Sequence, residues 1–243
     1  MIPWRRHRRR TPALSERELA DTWQLVSVLL DYPDEALLAR LPDLRAVAAQ
    51  LPGEVAQPLT AFLDHLAGSD LTDLQSEYVD TFDVTRRCAL HLTYFLHGDT
   101  RKRGVALVQF KQTYRHAGVV LGDEDSELPD HLSVVLEFGA SVDRDAAWKL
   151  LNDHRVGIEL LRAALDDRSS PWRHVIAALR ATLPPLEGDD HEALARLIAE
   201  GPPQEEVGID QAPYAMDPAL YEPGGASSGV TDLGQTIPVG ASR

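Results

Sequence analysis

Cysteine is nearly absent from this chain: Cys88 is the one thiol among 243 residues. A lone thiol closes no internal disulfide, so a disulfide-stapled secreted scaffold is excluded and a reducing, cytoplasmic setting is expected. Aromatic residues are scarce at 6%, and the Val, Ile and Thr runs that strands prefer are missing. No stretch approaches the roughly 18 consecutive apolar residues of a membrane-spanning helix, so direct membrane insertion is not expected. The arginines near the N-terminus lack a following apolar region, so no secretory signal is read there. Positive charge is also in deficit, with 24 Lys and Arg against 38 Asp and Glu, a net charge of −14. That balance makes nucleic acid a poor partner for the folded part.

What the chain does have is Ala and Leu at helical spacing, with a hydrophobic share of 44% that suffices for a core. The reading is all-α: a compact single-domain helical bundle over 15–200, between a basic N-terminal segment (1–14) and a Pro/Gly-rich acidic tail (201–243), both expected to be disordered. Ser15 and Glu18 form a capping-box pattern. Behind it Leu19, Trp23, Val26, Leu29 and Leu30 make one apolar stripe on a helix reaching about Asp31. Shorter helical patterns follow at 34–41, 43–50, 54–66 and 72–82, punctuated by Pro33, Pro42 and Pro52-Gly53. The stretch 86–97 reads as one helix stopped at Gly98. Asp99 or Thr100 then caps a helix to about Val120, with Val105, Leu107, Val108, Phe110, Tyr114, Gly118 and Val119 expected on its buried face. An acidic loop spans 121–129, and further helices are expected at 130–140, 143–165, 171–183 and 189–200.

The chemical motifs are mostly incomplete. Cys88 and His91, three apart on the expected helix, could share a metal, but no second cysteine exists to complete a structural zinc site. His191-Glu192 opens like a zinc-protease helix, yet Ala195 stands where the second histidine is needed. Gly225-Ala226-Ser227-Ser228-Gly229 matches a nucleophile-elbow string without the strand and helix that give it meaning. Phosphate-loop and dinucleotide fingerprints are absent. What remains is aromatic bodies interleaved with carboxylates: Glu77 beside Tyr78 and Phe82, His91 beside Tyr94, Phe95 and His97, and Glu127 through Pro129, Asp130 and His131 to Glu137 and Phe138. Such a set suits a groove for an amphipathic helix carrying Arg or Lys. Equally, the aromatics can be core, Asp130 a helix cap and the carboxylates a solvated face.

The same residues carry a family resemblance. Glu77-Tyr78-Val79-Asp80-Thr81-Phe82-Asp83, His91-Leu92 through His97-Gly98-Asp99-Thr100 to Arg103-Gly104, Tyr114-Arg115-His116-Ala117-Gly118, and Glu127-Leu128-Pro129-Asp130-His131-Leu132 with Leu136-Glu137-Phe138 resemble the NarJ family. Gly208 to Tyr214 resembles a segment near family C-termini. These proteins are molybdenum cofactor assembly chaperones of nitrate reductase, within the wider redox-enzyme maturation chaperones. The resemblance implies an all-helical fold, no catalysis and no bound cofactor. It further implies binding to the N-terminal segment of the apo catalytic subunit of nitrate reductase in the cytoplasm, support of molybdenum cofactor insertion, and absence from the finished enzyme. Proteins that deliver the cofactor are further candidate partners. The client site then has walls from Tyr78, Phe82, Tyr94, Phe95 and Phe138 around Pro129. Glu77, Glu127, Asp130 and Glu137 meet basic residues, and His91, His97 and His131 add sensitivity to pH. Two other readings stay open: a metal-binding enzyme using Cys88 and His91, and a helical scaffold for another respiratory partner.

Overall fold

A computed structural model describes residues 14–122, 127–186 and 188–200. The tail 201–243, with its nucleophile-elbow string and the Gly208–Tyr214 segment, lies outside the described residues, as do residues 1–13. Twelve α-helices are found among the described residues: α1 (Glu16–Leu29), α2 (Glu35–Ala39), α3 (Leu41–Ala48), α4 (Gly53–Gly68), α5 (Leu71–Tyr78), α6 (Leu92–His97), α7 (Arg101–His116), α8 (Leu132–Ser141), α9 (Arg144–Asp153), α10 (Arg155–Asp167), α11 (Arg173–Ala181) and α12 (Asp189–Glu200). A π-helical turn (Val79–Asp83) extends α5, and a 3-10 turn (Arg86–Cys88) precedes α6. None of these helices is long and apolar enough to cross a membrane.

Helix α1 starts where its capping box places it, with both Ser15 and Glu18 bonds formed. Its stripe packs on α8 and α11, while α4 packs on α11 and α3, so α1 and α11 run through the centre. Two indoles lock this centre without stranding a donor. Trp23 Nε1 donates to Thr182 Oγ1 at 3.1 Å, and Trp172 Nε1 donates to the Leu29 carbonyl at 3.1 Å. Ser27 Oγ donates to the Ser133 carbonyl at 3.0 Å, tying α1 to α8. Gly139 is needed at that crossing, because a Cβ there would lie 2.5 Å from Ala147 Cβ and 2.6 Å from the Trp23 ring. Glu159 of α10, buried, gathers Arg155, Arg162 and Arg180 at 2.6 to 2.9 Å and so fastens α10 to α11.

Four expectations are corrected. Residues 86–97 are not one helix. Leu92 N–H donates to the Asp130 carbonyl at 3.0 Å and Leu132 N–H to the Leu90 carbonyl at 2.8 Å, so this segment takes its backbone partners from across the fold. Residues 143–165 form two helices broken at His154, whose Nδ1 lies 2.8 Å from the Leu150 carbonyl while its ring packs on Phe110. The expected helix over 72–82 gives way to the π-helical turn after Tyr78. Finally, α7 ends at His116, Gly118 turns at a positive φ of 81°, and Val105 and Val108 face solvent while Ala106, Phe110 and Tyr114 face inward.

Candidate functional site: an acid-rimmed surface over an aromatic block

The bridge that breaks the 86–97 segment builds a polar hub. His91 and His131 pair in antiparallel fashion, their rings edge to face at 5.3 Å. The Asp130 side chain, fully buried, accepts from the Thr93 backbone N–H at 3.2 Å and from Thr93 Oγ1 at 2.5 Å. It therefore caps α6, a helix 37 residues away in sequence, rather than its own α8. Arg103 Nη2 stands 4.0 Å from Asp130 Oδ2, and His91 Nδ1 stands 3.5 Å from Oδ1. Burial works to raise the Asp130 pKa, but the neighbouring His91 and the Thr93 bonds overcome it and hold the carboxyl below its usual range. Burial pushes the His131 imidazole down to about 4, against the pull of Glu127 and Asp130. Tyr114 Oη closes the hub by donating to the Pro129 carbonyl at 2.6 Å.

A second cluster is aromatic. Tyr78 lies 4.8 Å from Phe82 and 5.6 Å from Trp172, which also meets Phe82 and Phe62. Tyr78 Oη donates to the Leu30 carbonyl at 3.0 Å, and burial first, then Asp31, Asp83 and Glu127, raises its pKa. Those carboxylates mark the surface above the block. Asp31 is held above the usual carboxylate range by partial enclosure of its carboxyl, with Glu137, Glu127 and Asp34 adding repulsion and the Ser133 hydroxyl opposing. The rim is thus Asp31, Asp34, Asp83, Glu127 and Glu137, all solvent-facing. The exposed apolar side chains of Tyr32, Val84 and Leu128 each follow one of these carboxylates in the chain (Asp31, Asp83 and Glu127), and the Tyr32 ring is edge-on to Tyr78 at 5.4 Å.

Of the residues named from sequence, Glu127 and Glu137 reach this surface, and Tyr78 and Phe82 support it from beneath as buried side chains. The aromatic groove walls are corrected accordingly: Tyr78, Phe82, Phe95 and Phe138 are core, Phe138 against Tyr114 at 4.6 Å and Phe95 against Gly157. Pro129, Asp130 and His131 are buried in the hub, while Tyr94 and His97 are half-buried beside Phe95 and Lys102 respectively. Glu77 is not brought to the rim. One helical step from Tyr78, it points the other way, 2.8 Å from His65 Nε2, into a cleft of about 500 Å³ lined by His65, Asp73, Asp80, Arg168 and Ser170. Sequence reasoning missed Asp31 and Tyr32. Their signal was the Tyr32-Pro33 pair just past the end of α1, a place where exposed aromatic residues are presented by a rigid turn.

Cys88 is fully buried, burial raising its thiol pKa despite Arg168, and it ends the 3-10 turn ahead of α6, so it and His91 do not share a helix. Among the described residues no three His, Cys, Asp or Glu side chains converge to hold a metal. Fold and site together define an all-helical protein whose distinctive surface is an acid rim on an aromatic block.

The chain is similar to known proteins. The model of the nitrate reductase delta subunit family matches residues 48–178. The chain is 38% identical over 201 residues to the nitrate reductase molybdenum cofactor assembly chaperone NarJ of Escherichia coli, covering 82% of this chain and 80% of that protein. It is 41% identical over 160 residues to the nitrate reductase-like protein NarX of Mycobacterium tuberculosis, an alignment covering 66% of this chain and spanning 24% of that much longer protein. A solved structure of a redox enzyme maturation protein from Archaeoglobus fulgidus aligns over 80% of this chain and all of its own with 24% identity and a TM-score of 0.47. This chain belongs to the nitrate reductase delta subunit family.

Proposed function

We propose that this protein is a chaperone of nitrate reductase maturation. It binds the N-terminal segment of the apo catalytic subunit in the cytoplasm, supports molybdenum cofactor insertion, and leaves before the enzyme is complete. The observation that carries this reading is the family match over residues 48–178. The acid rim fits it physically: carboxylates at Asp31, Asp83, Glu127 and Glu137 suit Lys and Arg on one side of a client helix, and Tyr32, Val84 and Leu128 suit its apolar side. Glu77 offers a second basic-group contact in the His65 cleft. In the same proposal Asp130, His91, His131, Pro129, Tyr94, Phe95, His97 and Phe138 hold the frame that fixes the rim. Proteins that deliver the cofactor join as transient partners.

Calorimetric titration with a peptide copying the N-terminus of the catalytic subunit tests the proposal. Saturable binding with a negative heat-capacity change is expected, because apolar surface is buried. Glu127→Gln with Glu137→Gln should weaken it about five- to thirtyfold, roughly 0.5–1 kcal/mol for each exposed charge pair. Salt at about 0.5 M should do likewise. Absence of saturation at peptide concentrations of about 1 mM would remove the proposal.

A further inference from the structure

The charge of this chain is distributed against its own average. Helix α7 carries Arg101, Lys102, Arg103, Lys111 and Arg115 and not one Asp or Glu, in a protein with a net charge of −14. Its inner face is accounted for: Phe110 and Tyr114 are buried, and Tyr114 packs on Phe138 of α8. Its outer face is not. Arg101, Val105, Val108, Gln112 and Arg115 recur at spacings of four, three, four and three, which sets them in a single stripe. That stripe is directed away from the domain, with Val105 64% and Val108 52% exposed. Among the described residues Lys102, Lys111 and Arg115 form no ion pair, so the charge of these three is not neutralised there. Two β-branched apolar residues between cations, more than half exposed on the outer side of a helix, gain little from packing among the described residues.

A basic helix with an apolar stripe is also the ligand that the acid rim suits. The rim presents carboxylates around Tyr32, Val84 and Leu128, and α7 presents cations around Val105 and Val108. The two cannot meet within one molecule, because α7 turns its opposite face to α8, the helix that carries Glu137. We propose that α7 of one molecule docks on the Asp31–Glu137 rim of a second copy, so that the chaperone covers its own client surface in trans. This rests on the reading of the rim given under Proposed function, of which it is the regulatory counterpart: client and second copy exclude one another. A symmetric α7–α7 pairing is disfavoured, since antiparallel helices would set Arg101 against Arg115, cation on cation. The contact is therefore heterologous, and without ring closure it extends beyond a dimer.

The test is sedimentation of the full chain at concentrations up to the order of 100 µM, where a weak charge-assisted contact is populated. In salt of about 20 mM the average mass should rise with concentration above the 26.8 kDa of one chain, and in about 0.5 M salt it should return to it. Two charge-reversed chains decide the pairing. Lys111→Glu with Arg115→Glu makes α7 acidic, and Glu127→Lys with Glu137→Lys makes the rim basic. Each alone should stay at the mass of one chain, whereas an equimolar mixture should associate at least as strongly as the unaltered protein. Helical circular dichroism establishes that both are folded, as expected for exposed positions. An unaltered chain that stays at one-chain mass in low salt, an α7-reversed chain that associates like the unaltered one, or a mixture that does not associate would each overturn the inference. Peptide titration reports separately on the client reading. Peptide binding without self-association removes only the inference, and self-association without peptide binding removes only the client.

Discussion

Replacing Asp130 by Ala tests whether the hub is what fixes the segment between α5 and α7. The carboxylate is fully buried and accepts two bonds from Thr93, at 3.2 and 2.5 Å, with the Arg103 guanidinium 4.0 Å away. Removing it strands the Thr93 N–H and hydroxyl without acceptors and leaves Arg103 facing a vacated site. Hydrogen bonds to a charged acceptor contribute about 1.5–3 kcal/mol each, and the desolvation cost of burying the carboxylate is recovered when it is deleted. The net expectation is a loss of about 3–5 kcal/mol, the range for breaking one side of a buried charged pair. Domains of this size are stable by roughly 5–15 kcal/mol, so the variant should be near its limit at physiological temperature. Asp130→Asn keeps one acceptor oxygen and should lose about half as much. Urea unfolding followed at 222 nm measures both, and a cycle with Thr93→Val should return a coupling of about 1.5–3 kcal/mol between the two side chains. If Asp130→Ala unfolds within about 1 kcal/mol of the parent, the hub is not a structural keystone and its burial needs another explanation.

Gly139→Ala should destabilise the bundle by about 1–3 kcal/mol. The gain in helix propensity is about 1 kcal/mol, but the new methyl would sit 2.5 Å from Ala147 Cβ and 2.6 Å from the Trp23 ring. Thermal unfolding reads this directly, and an equal or higher midpoint would show that α8 and α9 can part without cost. The His131 imidazole, with a pKa lowered by burial to about 4, makes stability fall as pH drops from the unfolded value of about 6.5. In that window the unfolded chain binds the proton that the folded one refuses, so between pH ~7 and ~5 the loss from this residue is about 2 kcal/mol. His131→Gln should remove that share of the slope in urea titrations at the two pH values, and an unchanged slope would assign the sensitivity to other groups.

The local features of this chain were legible without coordinates. The α1 stripe and its capping box, the stop at Gly98 with a φ of 56°, and the helical class all follow from spacing and from which residue tolerates which backbone conformation. Glu127 and Glu137 were legible as carboxylates of a groove rim or of a solvated face, and both are exposed. The rest depended on partners distant in sequence. Asp130 looked like a cap for the helix that follows it, and the fold made it the cap of α6 because the His91–His131 pairing brings Thr93 to it. Residues 86–97 have helical periodicity, but their backbone found acceptors across the fold, which periodicity cannot register. Val105 and Val108 count as apolar in any pattern, and only the side of α7 that met Phe138 decided that they would face water. Asp31 and Tyr32 joined the rim for the same reason: α1 ends beside α5 and the 127–137 segment, and proximity between chain-distant elements exists only once the core has chosen which faces to bury.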